Sequence, residues 1–302
     1  MMKTATLLMC AMLAMPLAVP LARGAQPLPL DGMIDIHVHA EPDSGRGMRS
    51  LDALEVARLA HRRGMRGLIF KNHYTETASL AYLVSQVVPG IEVYGGIALN
   101  RSVGGLNPVA IERMATMTGG LGRIVWLPTF DSEHNHLTIT PNPNFVPISH
   151  AGKLLPEMAP VLAMVKKYKL ALATGHSSPD ECLLIIRAAQ AAGIERIVVT
   201  HPASDRVKMG MAQQKEAAGL GAWIEYPVML AQGEMSFEAF ARQIREVGPQ
   251  HVIISTDLGQ SGNPTSPDGL LAAIPRLAAA GFSPAEIDLM TKRNPARLLS
   301  LD

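Results

Sequence analysis

The chain has 302 residues, 48% of them hydrophobic, with 27 basic against 26 acidic side chains and a formal charge of +1. That balance excludes the electrostatic footprint of a nucleic-acid binder and any acidic tail, and leaves small-molecule chemistry as the expected occupation. Of two cysteines, only Cys182 lies beyond the N-terminal apolar segment, so no internal disulfide is expected once that segment is removed.

The first 24 residues read as a signal peptide. Met1-Met2-Lys3 is a short positive start, Ala5 to Val19 is almost wholly apolar, and Ala22-Arg23-Gly24 offers small residues around a cleavage point. The expectation is a periplasmic or secreted protein with no stable membrane span after cleavage. Residues 25–302 then form a single domain of about 280 residues, within the range of one large α/β unit.

From Met33 onward, short β-type runs alternate with longer helical patterns, which predicts βαβ units and a parallel sheet. The runs are Met33–His39, Gly67–Lys71, Ile91–Leu99, Arg123–Pro128, Leu170–Gly175, Arg196–Thr200, Ala222–Tyr226 and His251–Thr256. Helical patterns cover Leu51–Arg63, Ala78–Val88, Pro108–Met117, Lys153–Tyr168, Asp180–Ala192, Ser204–Ala218, Ser236–Val247 and Asp268–Ala280. Eight of each fit a (β/α)8 TIM barrel better than an open doubly wound sheet, and no glycine-rich phosphate fingerprint follows the first strand. Two additions are expected: a long proline-containing loop after strand four, Asp131 to His150, and a short C-terminal helical extension, Ser283–Met290 with Pro295–Leu301.

The strand ends carry the chemistry. Strand one ends in His37-Val38-His39, and alternation places Asp35, His37 and His39 on one face. Two imidazoles on one strand end can close on a single metal ion. Strand five runs into His176, strand six into His201, and strand eight into Asp257. In a barrel these positions converge on one mouth.

This array resembles the amidohydrolase superfamily of metal-dependent hydrolases, and Asn294-Pro295-Ala296 is similar to a segment near the end of many members. The resemblance implies zinc, one or two ions, or another divalent metal. It implies His37 and His39 as ligands of the more buried ion. His176 and His201 then hold a second ion, or supply one ligand and one electrophile in a one-metal site. Asp257 becomes a weak ligand and the general base. Strand four departs from the pattern, with Trp126-Leu127-Pro128-Thr129 where two-metal members carry a carboxylated lysine or a glutamate.

Lysine stands instead at the end of strand two, in Phe70-Lys71-Asn72-His73. Two readings of Lys71 stay open: a carboxylated lysine bridging two metals, and an ammonium that pairs with Asp35 or orients an anionic substrate. His73 shares the face of Lys71 and is a candidate for substrate binding. Arg101 after strand three, and Arg46 or Arg49 after strand one, are candidates for a substrate carboxylate. Tyr226 at the end of strand seven is a candidate hydrogen-bond donor. His134 and His136 in the long loop are read as solvated.

The expected function is hydrolysis of an amide, ester or lactone bond in a small substrate by metal-activated water, with a carboxylate on that substrate left open. A one-metal decarboxylase or deaminase on the same fold is the alternative, and a periplasmic zinc-binding protein is the non-enzymatic one. The expected partner is a small-molecule substrate, with assembly into a homo-oligomer left open.

Overall fold

A computed structural model describes residues 29–44 and 47–301, so the signal-peptide expectation and Arg46 lie outside the described residues. Eight parallel strands follow one another round a (β/α)8 barrel in chain order. They are β1 (Ile34–Val38), β2 (Gly67–Phe70), β3 (Glu92–Ala98), β4 (Gly122–Trp126), β5 (Ala171–Ala173), β6 (Ile197–Val199), β7 (Trp223–Pro227) and β8 (Val252–Ser255). The circle closes just beyond β8, where His39 N donates to Leu258 O at 2.9 Å and Asp257 N donates to His37 O at 2.9 Å. That seam is made by the residues on either side of the predicted ligands.

Two apolar layers explain the strand pattern. Ile34, Ile36, Ile69, Ile124, Trp126, Ala171, Ala173, Val198 and Ile253 form one buried cluster that fills the barrel interior. The alternate positions, such as Leu68, Phe70, Val125, Leu172, Val199 and Ile254, pack in the larger cluster with the surrounding helices. Both strand faces are buried, which is why the runs read as continuous apolar stretches.

Strict alternation fails in β1. Ile34 and Ile36 belong to the interior, yet the register shifts between Asp35 and Val38, and His37 and His39 both end up in the mouth. Asp35 does not share their face. Its carboxylate accepts from Thr256 N at 3.0 Å and from Ser266 Oγ at 2.7 Å, on the helix that follows β8. Asp35 therefore anchors β1 to β8 and the helix layer, and the predicted pairing with Lys71 is not formed.

Several helices start where their caps predict. Asp52 and Glu55 form a capping box on Ala53–Arg62, and Ser178 and Glu181 form another on Pro179–Ala191, with Pro179 at the first helical position. Two helices start later than expected. The helix expected from Lys153 begins at Met158, because Lys153–Leu154 pairs antiparallel with Ser149–His150 across Ala151-Gly152, both at positive φ. The helix expected from Ser204 begins at Met211: Ser204 spends its hydroxyl on His201 Nδ1, and Lys208 at φ 55° breaks the helical path. The loop after β4 also carries a six-residue helix, Glu133–Thr138, capped by Ser132.

The C-terminal extension runs from Pro284 to Leu299 and closes the floor of the barrel. Ala296, Leu298 and Leu299 join the interior cluster, and Asn294 Nδ2 donates to Val252 O at 2.7 Å and Pro249 O at 3.1 Å. Asn294→Ala is expected to lower stability by about 1–3 kcal/mol, because it leaves buried carbonyls unpaired at the barrel floor. Thermal unfolding checks this, and the variant should keep wild-type metal content.

Candidate active site

Three donor atoms meet at the centre of the mouth. Asp257 Oδ1 lies 2.9 Å from His37 Nε2 and 3.1 Å from His39 Nε2. Among the described residues, His37, His39 and Asp257 are the group whose ligand atoms all fall within 4.8 Å of one another. Lys71 Nζ also reaches His37 Nε2, at 2.9 Å. The other ring nitrogen, His37 Nδ1, faces Glu225 Oε1 at 2.8 Å.

Glu225 was not visible as a site residue in the sequence. It sits inward on β7, buried, where Ser255 Oγ donates to Oε1 at 2.7 Å and His201 N donates to Oε2 at 3.2 Å. A carboxylate on Nδ1 fixes the tautomer of His37 and leaves the Nε2 lone pair facing the mouth. The available signal was one glutamate inside the apolar run Ala222–Tyr226.

Tyr226, its neighbour, points the other way. Its hydroxyl donates to Gln214 Oε1 at 2.6 Å and its ring packs on Phe240, so it belongs to the helix layer and not to the mouth. Period-two alternation admits Glu225 or Tyr226 to the interior, not both. Arg101 is likewise outside the site: its exposed side chain borders a separate shallow depression, while its backbone N–H donates to Asp131. Arg49 does line the mouth, but it is paired with Asp43.

The histidines crowd one another. His73 stacks on His39 at 5.1 Å between ring centroids and takes Thr129 Oγ1 as the partner of Nδ1 at 2.9 Å. His176 and His201 are 5.0 Å apart, and His201 Nδ1 faces Ser204 Oγ at 2.9 Å. His201 and Asp257 both occupy positive φ, at 27° and 53°. Non-glycine residues held there imply local strain balanced by the surrounding structure. Gly259 lets the chain pass close by: at φ 133°, an added Cβ would lie 1.9 Å from His39 O.

Burial sets the charge states. It lowers the pKa of His39 and His201 to about 4, and holds those of His73 and His176 well below the usual imidazole value. These rings are therefore neutral, the form that ligates metal. Burial lowers Lys71 to about 8 against the pull of Asp257 and Glu225. Burial also pulls His37 down, but Asp257 and, against Lys71, Glu225 outweigh it and raise His37 to about 9. Burial pushes the two carboxylates up, yet His37 and its neighbours hold Glu225 near about 2 and Asp257 well below the usual range.

These residues fit a divalent cation. With Nδ1–H turned to Glu225, the lone pair of His37 Nε2 faces an ionised carboxylate, an arrangement that needs a proton or a cation between them. His39 Nδ1 and His176 Nδ1 are buried with no hydrogen-bond partner. Strand four offers no further acid. Trp126 fills that inward position, with Lys71 Nζ 5.3 Å from its ring centroid and the His37 ring 6.2 Å away.

Above the donors lies a cavity of about 830 Å³. Thr140, Pro141, Asn142 and Pro143 of the long loop form part of its wall, so that loop does face the mouth. His136 is not a donor to the site: its Nδ1 accepts from Asn142 N at 2.6 Å and its ring stacks on Phe145.

The fold is that of amidohydrolase-type hydrolases. An organophosphorus hydrolase from Deinococcus radiodurans superposes with a TM-score of 0.58 at 14% identity, over 89% of this chain and 92% of that one. A protein from Pseudomonas putida, described as a 2-pyrone-4,6-dicarboxylic acid hydrolase, superposes with a TM-score of 0.62 at 16% identity, over 90% and 98%. A zinc-bound amidohydrolase from Burkholderia multivorans gives 0.61 at 15% identity, over 89% and 99%. No curated protein matches the sequence. Residues 32–225 match the family of unknown function DUF6282, and the chain belongs to that family.

Proposed function

We infer that this protein is a metal-dependent hydrolase of the amidohydrolase type, acting on an amide, ester or lactone bond of a small substrate. The observation that carries this reading is Asp257 Oδ1 between the Nε2 atoms of His37 and His39, at the base of a cavity wide enough for a small molecule. The solved hydrolases of the same fold support it.

His37, His39 and Asp257 would hold the cation, with Glu225 orienting His37. We assign zinc, the ion bound in the Burkholderia protein of the same fold. A bound divalent cation supplies a Lewis acid and an acidified water at neutral pH. Asp257 is the proton acceptor, since its carboxylate lines the cavity and touches the donor set from the open side. His176 and His201, neutral and one ring away, face the same cavity and can donate hydrogen bonds to a substrate oxygen. The apolar leader supports export of the mature chain to the periplasm or beyond.

One observation favours a single ion, the arrangement also used by decarboxylases and deaminases of this fold: among the described residues, the histidine and carboxylate donors that cluster tightly are three. A carboxylated Lys71 would instead add a fourth, anionic donor through the carbamate oxygens attached to its Nζ, which lies 2.9 Å from His37 Nε2. Metal analysis of the mature protein, with and without bicarbonate, separates the two. If Lys71 is carboxylated, Lys71→Ala loses about one metal per chain and bicarbonate raises metal content only in the wild type. Equal metal content in both proteins rules the carbamate out. The hydrolase reading itself fails if zinc-loaded protein turns over no member of a panel of lactones, esters and amides.

A further inference from the structure

Among the described residues, three arginines stand near the mouth in sequence or space, and the structure separates them. Arg101 faces elsewhere, and the charge of Arg49 is offset by Asp43. Arg206, in the turn after His201, is different. Its guanidinium carbon lies 5.0 Å from the centroid of the Phe130 ring, and Nη1 donates to the buried Asn135 Oδ1 at 3.1 Å. Among the described residues it makes no ion pair, and Nε and Nη2 have no protein acceptor. The residue lines the cavity.

A guanidinium supported on one face by an aromatic ring and tied at one nitrogen has lost most of its rotational freedom before any ligand arrives. Its remaining N–H fork is a planar, two-pronged donor, complementary to a carboxylate. Phe130, the ring beneath it, touches His73 at 4.0 Å and His176 at 5.5 Å between centroids. One aromatic ring thus separates the free arginine from the histidine cluster.

We propose that Arg206, braced by Phe130 and Asn135, binds the carboxylate of the substrate and so restricts this hydrolase to anionic substrates whose scissile carbonyl lies a few bonds from that carboxylate. The proposal rests on the hydrolase reading above. An uncompensated cation on the wall draws the anion in, and the fork sets its orientation, so that the far end of the molecule reaches His37, His39 and Asp257. Arg206 is a specificity-determining residue and takes no part in proton transfer. Thr140 to Pro143 line the same cavity beside this arginine, since Thr140 N donates to the backbone oxygen of Asn135 at 2.9 Å.

The test is calorimetric titration of zinc-loaded protein with a panel of small carboxylates, from acetate through glutarate to phthalate, and the matched neutral amides. At least one carboxylate should bind wild type at least about tenfold more tightly than its amide. Arg206→Gln should weaken that carboxylate about 10- to 100-fold with its amide unaffected, and Arg206→Lys should recover only part of the loss. Melting temperature and metal content of each variant report whether the fold and donor set are intact. Equal carboxylate binding in wild type and Arg206→Gln overturns the proposal, as does a panel in which no carboxylate is preferred to its amide. A protein that binds carboxylates through Arg206 but holds no metal sinks the hydrolase reading alone. One that holds metal but ignores Arg206→Gln sinks this proposal alone.

Discussion

Asp257→Asn is expected to reduce turnover of the best substrate by about 100- to 10,000-fold, the range in which general acid–base catalysis contributes. Asparagine keeps the volume and one carbonyl oxygen, so the seam made by Asp257 N and His37 O should survive and the protein should fold. The proton acceptor is lost. The anion facing the Nε2 atoms of His37 and His39 is lost with it, so the cation should also bind more weakly. Steady-state kinetics at saturating zinc separate the two effects, because excess metal restores occupancy and leaves the catalytic defect. Turnover within threefold of wild type under those conditions would remove Asp257 from the mechanism.

Glu225→Gln is expected to weaken metal affinity about 10- to 100-fold, the usual consequence of removing the partner that orients a ligating histidine. The substitution is nearly isosteric, so packing is preserved, while the buried negative charge on which His37 Nδ1, Ser255 Oγ and His201 N converge disappears. His37 becomes a poorer donor, and His201, whose backbone is held at positive φ partly by that carboxylate, loses an anchor. Competition with a chromogenic chelator gives the dissociation constant. An unchanged constant together with unchanged turnover would reduce Glu225 to a filler of the barrel interior.

These two residues show how differently the sequence treats members of one site. Asp257 follows the apolar run Val252-Ile253-Ile254 and stands where barrel strands deliver their chemistry, so its place in the mouth is legible from position, while its proposed role comes with the family resemblance. Glu225 stands inside a strand, next to a tyrosine with a stronger claim on paper. Choosing between them requires the phase of β7 relative to the barrel axis, which is set by its pairing with β6 and β8.

Phase is also what failed in β1. Simple alternation joins Asp35 to the histidine face, but the register shift before Val38 turns Asp35 to Thr256 and Ser266 and deprives Lys71 of its expected partner. Arg206 is hidden in the sequence for a related reason. It lies in a segment whose spacing reads as helix, and only the positive φ of Lys208 and the use of Ser204 by His201 turn that segment into a loop that faces the mouth.

By itself, then, the sequence determined the eight strands, the barrel, and the histidines and aspartate at its strand ends, because apolar periodicity and residue type are local and repeat along the chain. The tertiary structure decided which neighbour points inward, which of the described arginines lining the cavity has no ion pair, and that Trp126 fills the place of a strand-four ligand. Those outcomes depend on register, strand irregularity and contacts between segments tens to hundreds of residues apart. No local pattern encodes a distance across a barrel.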